Sequence, residues 1–541
     1  MKISSEIVLL FKRVEHIYRQ REAFAQDENK NVISVEEMAS HLSSLYEKLR
    51  NSVDFKEVHL LRRYAIERNL KRRFILEILK PQIARNLIED LIRGQYIPNN
   101  GIPESKVQEV EQVITKYNDM FVRLNEHYEN DKLEQKNLQD YFDWLIGIEA
   151  CEIDIILTPE DIADAVIEAM YEVTKPRVKL KGDDLSIREK NIQLYITIHK
   201  SLVKSDVIII SYHLLNLYYS EWLHADQKLI TEIATNIGPI YRTIQRHLRH
   251  PYQRKISQAI KEPVVTFQVL HELILRHEAK IEDLLVQPEE LEVEARKLII
   301  ERYKSIRSKL SKSSMRAIIY IFITKVLLAF ALELPYERYI LGHINFLNLG
   351  INVVFPPLLM FLVTLSFSVP STNNTDKILA NLKDLVYGKS EQSILCQLKS
   401  KYKQSLSYQI FYNFMYTLLY LAVFGGIIYV LHKLNFNIIS GAIFLFFLTA
   451  VSFFAVRIRN TAKELKVIDN KEDALSFLMN FFSLPIVAVG RWLSTKFRKI
   501  NIFAFVMDFI IEAPFKMIVL AFEDWLGFMK EKKEEVYHDD K

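Results

Sequence analysis

The chain has 541 residues, more than one hydrophobic core normally organises, so we expect two or three compact units. Two cysteines cannot build a disulfide framework, and a net charge of +4 spread over this length does not by itself indicate a nucleic-acid partner. Only 13 residues are glycine, which argues against Gly-rich phosphate loops and favours long helices.

The N-terminal segment mixes acidic and basic residues on a helical pattern, without a long apolar stretch before a small-residue cleavage site. We therefore expect no cleaved signal peptide. Helical patterns continue to about residue 312, interrupted by turn-rich segments at 96–105 and 175–184. The second interruption predicts a boundary between two cytoplasmic helical subdomains, residues 1–180 and 181–312.

A helix predicted over 55–81 carries eight lysines and arginines. Such a cluster could contact nucleic acid or anionic lipid. The basic residues spread over much of the helix circumference, however, and Glu67 is four residues from both Arg63 and Lys71, a spacing that suits intrahelical ion pairs. The pattern favours a solvated, salt-bridged helix and disfavours nucleic acid as a partner.

The segment IEACEIDII gathers Glu149, Cys151, Glu152 and Asp154. Paired carboxylates can bind a divalent cation or perform acid–base catalysis, but no further ligand follows at a metal-binding spacing. We interpret the segment as a surface helix that ends before Thr158.

The histidines His247 and His250 form an HxxH without an HExxH or a cysteine pair, which favours structural roles over zinc binding. The sequence has no phosphate-binding, hydrolase or kinase motif either. We therefore predict no cofactor and no enzymatic activity.

The character of the sequence changes after Arg316. A transmembrane region over 313–460 is predicted from four apolar runs, each long enough to span a bilayer. These runs are 317–334, 347–369, 410–431 and 438–456. The third contains Gly425-Gly426, which permits a close helix approach or a hinge. In the second, Pro356 and Pro357 lack the N–H groups that an interior helical turn needs, so we expect a kinked or broken helix there.

The orientation follows from the positive charges around these runs. Basic residues cluster before the first run, between the second and third, and after the fourth, whereas the opposite loops hold only Arg338 and Lys433. Cytoplasmic loops carry such an excess of lysine and arginine. We expect an integral protein of the plasma or inner membrane with both termini in the cytoplasm.

The last segment, residues 461–541, allows two interpretations. Leu475–Val489 is apolar but short for a span, and the apolar stretch 500–522 carries one polar stripe that includes Asp508 and Glu512. Both stretches could cross the membrane, giving six spans. The basic residues between them would then lie on the wrong side, so we favour amphipathic interfacial or re-entrant helices and four spans.

Lys325 is the most informative single residue. A lysine near the middle of a span costs about 2.5–3.5 kcal/mol and calls for a partner or a water-filled cavity. Glu333 lies about 12 Å further along the same helix, which we expect to be too far. Asp508 or Glu512 could reach Lys325 only if the C-terminal segment enters the membrane. We favour a buried pair that locks helices together over a path for ions or protons.

These observations predict an all-α membrane protein with a large cytoplasmic helical domain, four transmembrane helices and a C-terminal amphipathic or re-entrant module. The favoured function is a membrane-anchored scaffold or interaction protein, whose partners would be the lipid bilayer and a cytosolic protein. The alternative is a channel or secondary transporter that uses Lys325, Asp508 and Glu512, with Pro356 and Pro357 as a helix break. Four spans would need a homo-oligomer to form a pore.

Overall fold

The structure is a computed structural model of the full chain. It describes residues 3–26, 31–53, 60–76, 83–129, 134–158, 162–181, 186–365, 372–388, 394–399, 406–462, 465–468 and 474–498, with a few separate residues beyond 517.

The chain divides into two compact units. Unit 1 consists mainly of residues 265–390 and 400–501, and unit 2 of residues 3–264, 391–399 and 502–541. The change from one unit to the other therefore occurs near residue 264, inside a helix, rather than at the predicted position 312. The chain leaves unit 1 once more, at 391–399, to contribute a strand to unit 2.

In its described residues, unit 2 is built from helices of 8 to 24 residues and one pair of short strands. The helices are α1 (Ser5–Gln26), α2 (Glu37–Val53), α3 (Leu61–Leu76), α4 (Ile83–Arg93), α5 (Ser105–Tyr128), α6 (Leu138–Leu157), α7 (Ile162–Thr174), α8 (Ile187–Leu202), α9 (Val207–Tyr218), α10 (Gln227–Thr235), α11 (Ile237–Leu248), α12 (Tyr252–Ala259) and α13 (Lys261–His277), the last of which continues into unit 1.

One hydrophobic core runs through most of unit 2. Helix α4 shows why these sequences fold as they do, because its apolar residues recur at i, i+3, i+4 and i+7 and form one buried face. The core contains Ile33 near the start of the unit and Leu248 near its end. It therefore extends across position 180, and the predicted division at 180/181 does not separate two cores.

The two strands are β1 (Val178–Lys181) and β2 (Cys396–Lys399), which pair in parallel with Val178 opposite Cys396. The sequence predicted only a turn-rich interruption at 175–184. The four residues Val-Lys-Leu-Lys alternate apolar and polar side chains, which is typical of a strand, but the partner strand lies far along the chain.

Unit 1 contains the apolar helices and a polar part that precedes them. Its elements after α13 are α14 (Ile281–Val286), α15 (Pro288–Leu328), α16 (Leu334–Tyr336), α17 (Phe346–Leu365), α18 (Thr372–Tyr387), α19 (Leu406–Lys433), α20 (Ile438–Ala462) and α21 (Ala474–Arg498), with π-helical segments at Ala329–Glu333 and Glu337–Leu341.

The first of these helical runs is 54 residues long, from Pro288 to Leu341. Pro288 begins it at a position where no N–H donor is needed, and two glutamates follow in the first turn. Gly342 ends it in the left-handed conformation, with φ of 73°, as glycine commonly does after a helix.

Five helices in the described residues are long and apolar enough to cross a membrane. They are Pro288–Leu341, Phe346–Leu365, Ser407–Lys433, Ile438–Arg459 and Phe477–Lys496. The first four coincide with the predicted spans, and the protein is a nearly all-helical membrane protein. The fifth lies in the segment for which an interfacial or re-entrant helix was favoured.

The additional helix, α21, continues nine residues beyond the predicted end at Val489 because Pro485 lies inside it without ending it. It packs closely on α20. A Cβ atom added at Gly490 would lie 2.7 Å from the Cβ of Phe453 and 2.8 Å from the carbonyl carbon of Thr449, so only glycine fits there. The polar stripe at 500–522 falls outside the described residues.

Helix α19 differs from α21 in the surroundings of its glycines, although the most apolar stretch of each helix is only 11% buried inside the protein. A Cβ atom added at Gly425 or Gly426 would meet nothing within 4 Å. The two glycines that could permit a close helix approach therefore lie on open surface within the described part of the chain.

Candidate functional site

Buried polar side chains gather among the apolar helices of unit 1. The Nζ of Lys325 donates to Oε1 of Glu333 at 2.9 Å, and the two side chains have no exposed surface. The ammonium group also lies 4.8 Å from the centre of the Phe447 ring. The two charges thus compensate each other, as charges placed in an apolar medium must.

The expectation that Glu333 lies too far from Lys325 is wrong. It rested on the rise of a regular α-helix, in which eight residues advance about 12 Å and also end about 80° away from the starting face. The π-helical segment Ala329–Glu333 has wider turns with i→i+5 hydrogen bonds, so each residue rotates less and Glu333 comes round to the face of Lys325. Helical side chains also lean toward the N-terminus, which directs Glu333 back to the lysine.

Helix α17 links this pair to a third helix. The Nδ2 of Asn352 donates to Oε2 of Glu333 at 2.7 Å and to the backbone carbonyl of Ser440, in the first turn of α20, at 3.1 Å. Asn352 is completely buried. One carboxamide therefore connects three helical runs of the unit.

A second buried acid forms a similar group four residues further along. The carboxylate of Glu337 accepts hydrogen bonds from Asn437 Nδ2 and from the backbone N–H of Asn345, both at 2.9 Å. Nearby on α17, Asn348 Nδ2 donates to the carbonyl of Asn435 at 2.8 Å. The polar groups thus extend along the helices instead of ending at one ion pair.

Two amide oxygens in this cluster have no donor in the described part of the chain. They are the Oδ1 atoms of Asn348 and Asn352. The orientation of both amides is fixed, because each Nδ2 donates to a carbonyl or carboxylate oxygen. The main-chain carbonyl of Asn352 also lacks its usual helical donor, since residue 356 is proline.

Helix α17 continues through Pro356 and Pro357 without interruption. The helix is therefore not broken at the predicted position. The two prolines only remove two N–H donors from its interior. Of the other candidates in the predicted polar site, Asp508 and Glu512 lie outside the described residues. Sequence reasoning missed Asn348 and Asn352, although two asparagines four residues apart in a charge-free apolar run were a visible signal.

Unit 2 contains a second buried lysine–glutamate pair. Lys116 of α5 donates to Glu152 of α6 and, at 3.1 Å, to the carbonyl of Trp222. Tyr117 donates to the other oxygen of Glu152 at 3.0 Å and accepts from Trp222 Nε1 at 3.1 Å. Burial raises the pKa of Glu152, and it raises the pKa of the neighbouring Glu149 well above its usual value.

The interpretation of this segment as a surface helix is wrong, because Glu149, Cys151 and Glu152 are at most 4% exposed. The helix does end before Thr158, as predicted. Burial raises the pKa of the Glu149 carboxyl group well above its usual value and so disfavours the charged form that a metal ion needs. The described residues contain no group of three or more side chains that could hold a metal ion.

The basic helix α3 carries the predicted intrahelical pairs, since Glu67 contacts Arg63 at 2.6 Å and Lys71 at 3.1 Å. It is not a solvated helix, however, because Arg63 is only 1% exposed. Its basic residues pair mainly with other parts of unit 2, namely Arg62 with Asp154, Arg63 with Asp206, Arg68 with Glu47, Lys71 with Asp143 and Arg72 with Asp90.

The histidines of unit 2 lie in packed surroundings. His247 bonds to Tyr218 at 2.8 Å and to Gln193 at 3.2 Å, through its two ring nitrogens. His199 and His213 lie ring to ring, with centres 4.7 Å apart. Burial lowers the pKa of both, that of His213 to about 4, so both are neutral at pH 7.

Comparison with known proteins gives no further guide. No family model, no curated protein and no solved structure matches the chain. The function must therefore be inferred from the polar cluster of unit 1 and from the construction of unit 2.

Proposed function

We propose that the chain is a membrane-anchored interaction protein, in which unit 1 provides a rigid anchor and unit 2 the cytoplasmic body that binds a protein partner. The observation that carries this proposal is that the buried charges of unit 1 neutralise each other. Lys325 and Glu333 satisfy each other, and Asn352 ties the pair to the neighbouring helices. Separation of the helices would break the hydrogen bonds of Asn352 to Glu333 and Ser440 and leave the buried carboxylate with fewer partners, so this link opposes their separation.

The build of unit 2 supports the same proposal. Many of its charged residues form ion pairs that join one helix to another part of the unit, as those of α3 illustrate. A rigid helical body with satisfied interior charges can present a fixed surface to a partner, and it needs no catalytic group.

A direct test is to reconstitute the full chain in liposomes and measure proton, sodium, potassium and chloride flux. We expect tight liposomes for the wild type and for the folded double variant Lys325→Met/Glu333→Gln. Crosslinking from exposed positions of unit 2 in cells should then capture one defined cytosolic protein. A flux that collapses in the folded double variant would contradict the proposal.

The second candidate is a channel or transporter. It draws support from the two amide oxygens of Asn348 and Asn352, which could accept from a passing hydrated cation or a proton-carrying water. The Asn352 carbonyl, left without its helical donor by Pro356, adds a third acceptor. This candidate requires a measured flux that falls when Glu333→Gln removes the charge beside these oxygens.

A further inference from the structure

The basic residues of α15 fall into two groups with different surroundings. Those as far as Arg302 all have acidic partners within unit 1. The pairs are Arg296 with Glu292 and Asp376, Lys297 with Glu294, and Arg302 with Glu272. The basic residues of α15 up to Arg302 are therefore neutralised within the protein.

The second group follows directly and has no such partners. Five exposed basic residues have no ion pair with any described residue, and no acid occurs between Glu301 and Glu333. They are Lys304, Arg307, Lys309, Lys312 and Arg316. The unpaired charge is concentrated in the turns immediately before the apolar run.

Three members of this group share one side of the helix. Lys309, Lys312 and Arg316 recur at i, i+3 and i+7, whereas Leu310 and Ser314 are buried against the rest of unit 1. The side chains of these three residues therefore point away from the protein, on an outer face where each can reach a ligand.

Helix α20 adds a fourth charge at the same level. Lys325 faces Phe447, and Glu333 is linked through Asn352 to Ser440, so the two helices run in opposite directions. Counting back along α15 from Lys325 and forward along α20 from Phe447 puts Arg316 and Arg457 at a similar height along the two helices. Arg457 is exposed and has no ion pair with any described residue.

We propose that Lys309, Lys312, Arg316 and Arg457, here called the basic collar, bind the phosphate groups of anionic phospholipids. Guanidinium and ammonium groups are strong donors to phosphate oxygens, and basic clusters beside a membrane helix attract anionic headgroups. This site is independent of the proposed function, because an anchor and a transporter would use it equally.

The surface next to the basic collar selects a lipid over other anions. Ile319 and Tyr320 follow Arg316 on α15 and are 51% and 69% exposed. A phospholipid can place its phosphate on the basic residues and its acyl chains along this apolar surface. A nucleic acid or an acidic peptide would match only the charges, leaving the apolar surface uncovered.

The test uses the full chain, purified in a neutral detergent, with phosphatidylglycerol or phosphatidylcholine added. Bound lipid is counted by native mass spectrometry, and the unfolding midpoint is followed at low and high salt. We expect phosphatidylglycerol to stay bound and raise the midpoint, more at low salt, and phosphatidylcholine to do neither. The triple variant Lys309→Gln/Lys312→Gln/Arg316→Gln should lower the apparent affinity for phosphatidylglycerol by roughly 10- to 100-fold.

Two controls separate specific binding from a general charge effect. The variant Lys228→Gln/Arg246→Gln/Arg254→Gln removes the same charge from exposed positions in unit 2 and should bind phosphatidylglycerol like the wild type. The variant Lys309→Arg/Lys312→Arg keeps the charge and should also retain binding. Equal phosphatidylglycerol binding by the triple variant, or equal stabilisation by inorganic phosphate alone, would overturn the proposal.

Discussion

Both units bury a lysine against a glutamate and an aromatic ring, but they build the pair differently. In unit 2, Lys116 and Glu152 come from two packed helices, and the lysine lies 4.5 Å from the Trp222 ring. In unit 1, Lys325 and Glu333 come from one helical run, and the lysine lies 4.8 Å from the Phe447 ring.

The difference shows how each unit ties its helices together. The pair of unit 2 is itself a link between α5 and α6. The pair of unit 1 closes within one run, and the link to neighbouring helices is made by the neutral side chain of Asn352. Because the charge is neutralised within its own helix, no second charge is needed on a neighbouring helix, and a neutral carboxamide makes the link, which suits an apolar bundle.

The largest expected effect comes from opening the pair of unit 1. Lys325→Met alone leaves Glu333 buried without its counter-charge, and we expect a loss of about 3–5 kcal/mol in the free energy of unfolding of unit 1. The double variant Lys325→Met/Glu333→Gln should recover most of this loss. Both can be measured by denaturant unfolding in detergent. A single variant as stable as the wild type would show that the pair does not lock the unit.

The next effect tests how tightly unit 1 is packed. Gly490→Ala places a methyl group against the backbone of α20, and we expect a loss of up to about 3 kcal/mol. The matched control is Gly425→Ala on α19, where the added methyl group meets nothing and helix propensity improves. Equal thermal stability of the two variants would mean that α21 is not a tightly packed member of the bundle.

A pH effect is expected from a buried histidine of unit 2. His213 contacts His199, Tyr195 and Tyr212, and its pKa in the folded state is about 4 against 6.5 in the unfolded chain. The unfolded state therefore binds the proton first, so stability is complete above pH 6.5 and is lost as the pH falls toward 4. We expect a loss of about 2 kcal/mol at pH 5.

This loss can be followed by circular dichroism of the unfolding transition between pH 7 and pH 4.5. The variant His213→Phe should reduce the dependence over this range and leave the contribution of His199, whose pKa burial also lowers. A pH profile that is the same in the wild type and the variant would assign the acid sensitivity to other groups.

The smallest effect concerns the tyrosine beside the pair of unit 2. Tyr117→Phe removes a hydroxyl group that donates to Glu152 and accepts from Trp222. We expect a loss of about 1 kcal/mol, measured as the unfolding midpoint, because Lys116 still neutralises the acid. A loss as large as that of Lys325→Met would mean that both units depend equally on their buried polar groups.

The two pairs also differ in how visible they are in the sequence. Lys325 could be identified because it interrupts an apolar run, where any charge demands a partner. Lys116 and Glu152 stand among many charged residues, and nothing local distinguishes a buried charge from a solvated one. The spans were predictable for the same reason as Lys325, since absence of charge over about 20 residues is rarely accidental.

The remaining features depend on tertiary structure and could not be read locally. The π-helical turns that bring Glu333 to Lys325 have no sequence pattern that we could use. The close contact at Gly490 depends on which residues of α20 lie opposite. The parallel pairing of β1 with β2 joins segments on either side of two apolar helices, and four-residue strands give almost no periodic signal.

The position of β2 in the chain also governs the order of events during synthesis. Strand β1 ends at Lys181, and its partner begins at Cys396, after two of the apolar helices. At about 5–20 residues per second, the ribosome needs roughly 10 to 40 s to supply this missing strand. The edge of unit 2 at β1 therefore stays incomplete while the first apolar helices are being delivered, and a nascent chain cut before residue 391 would carry an unpaired strand edge open to chaperones.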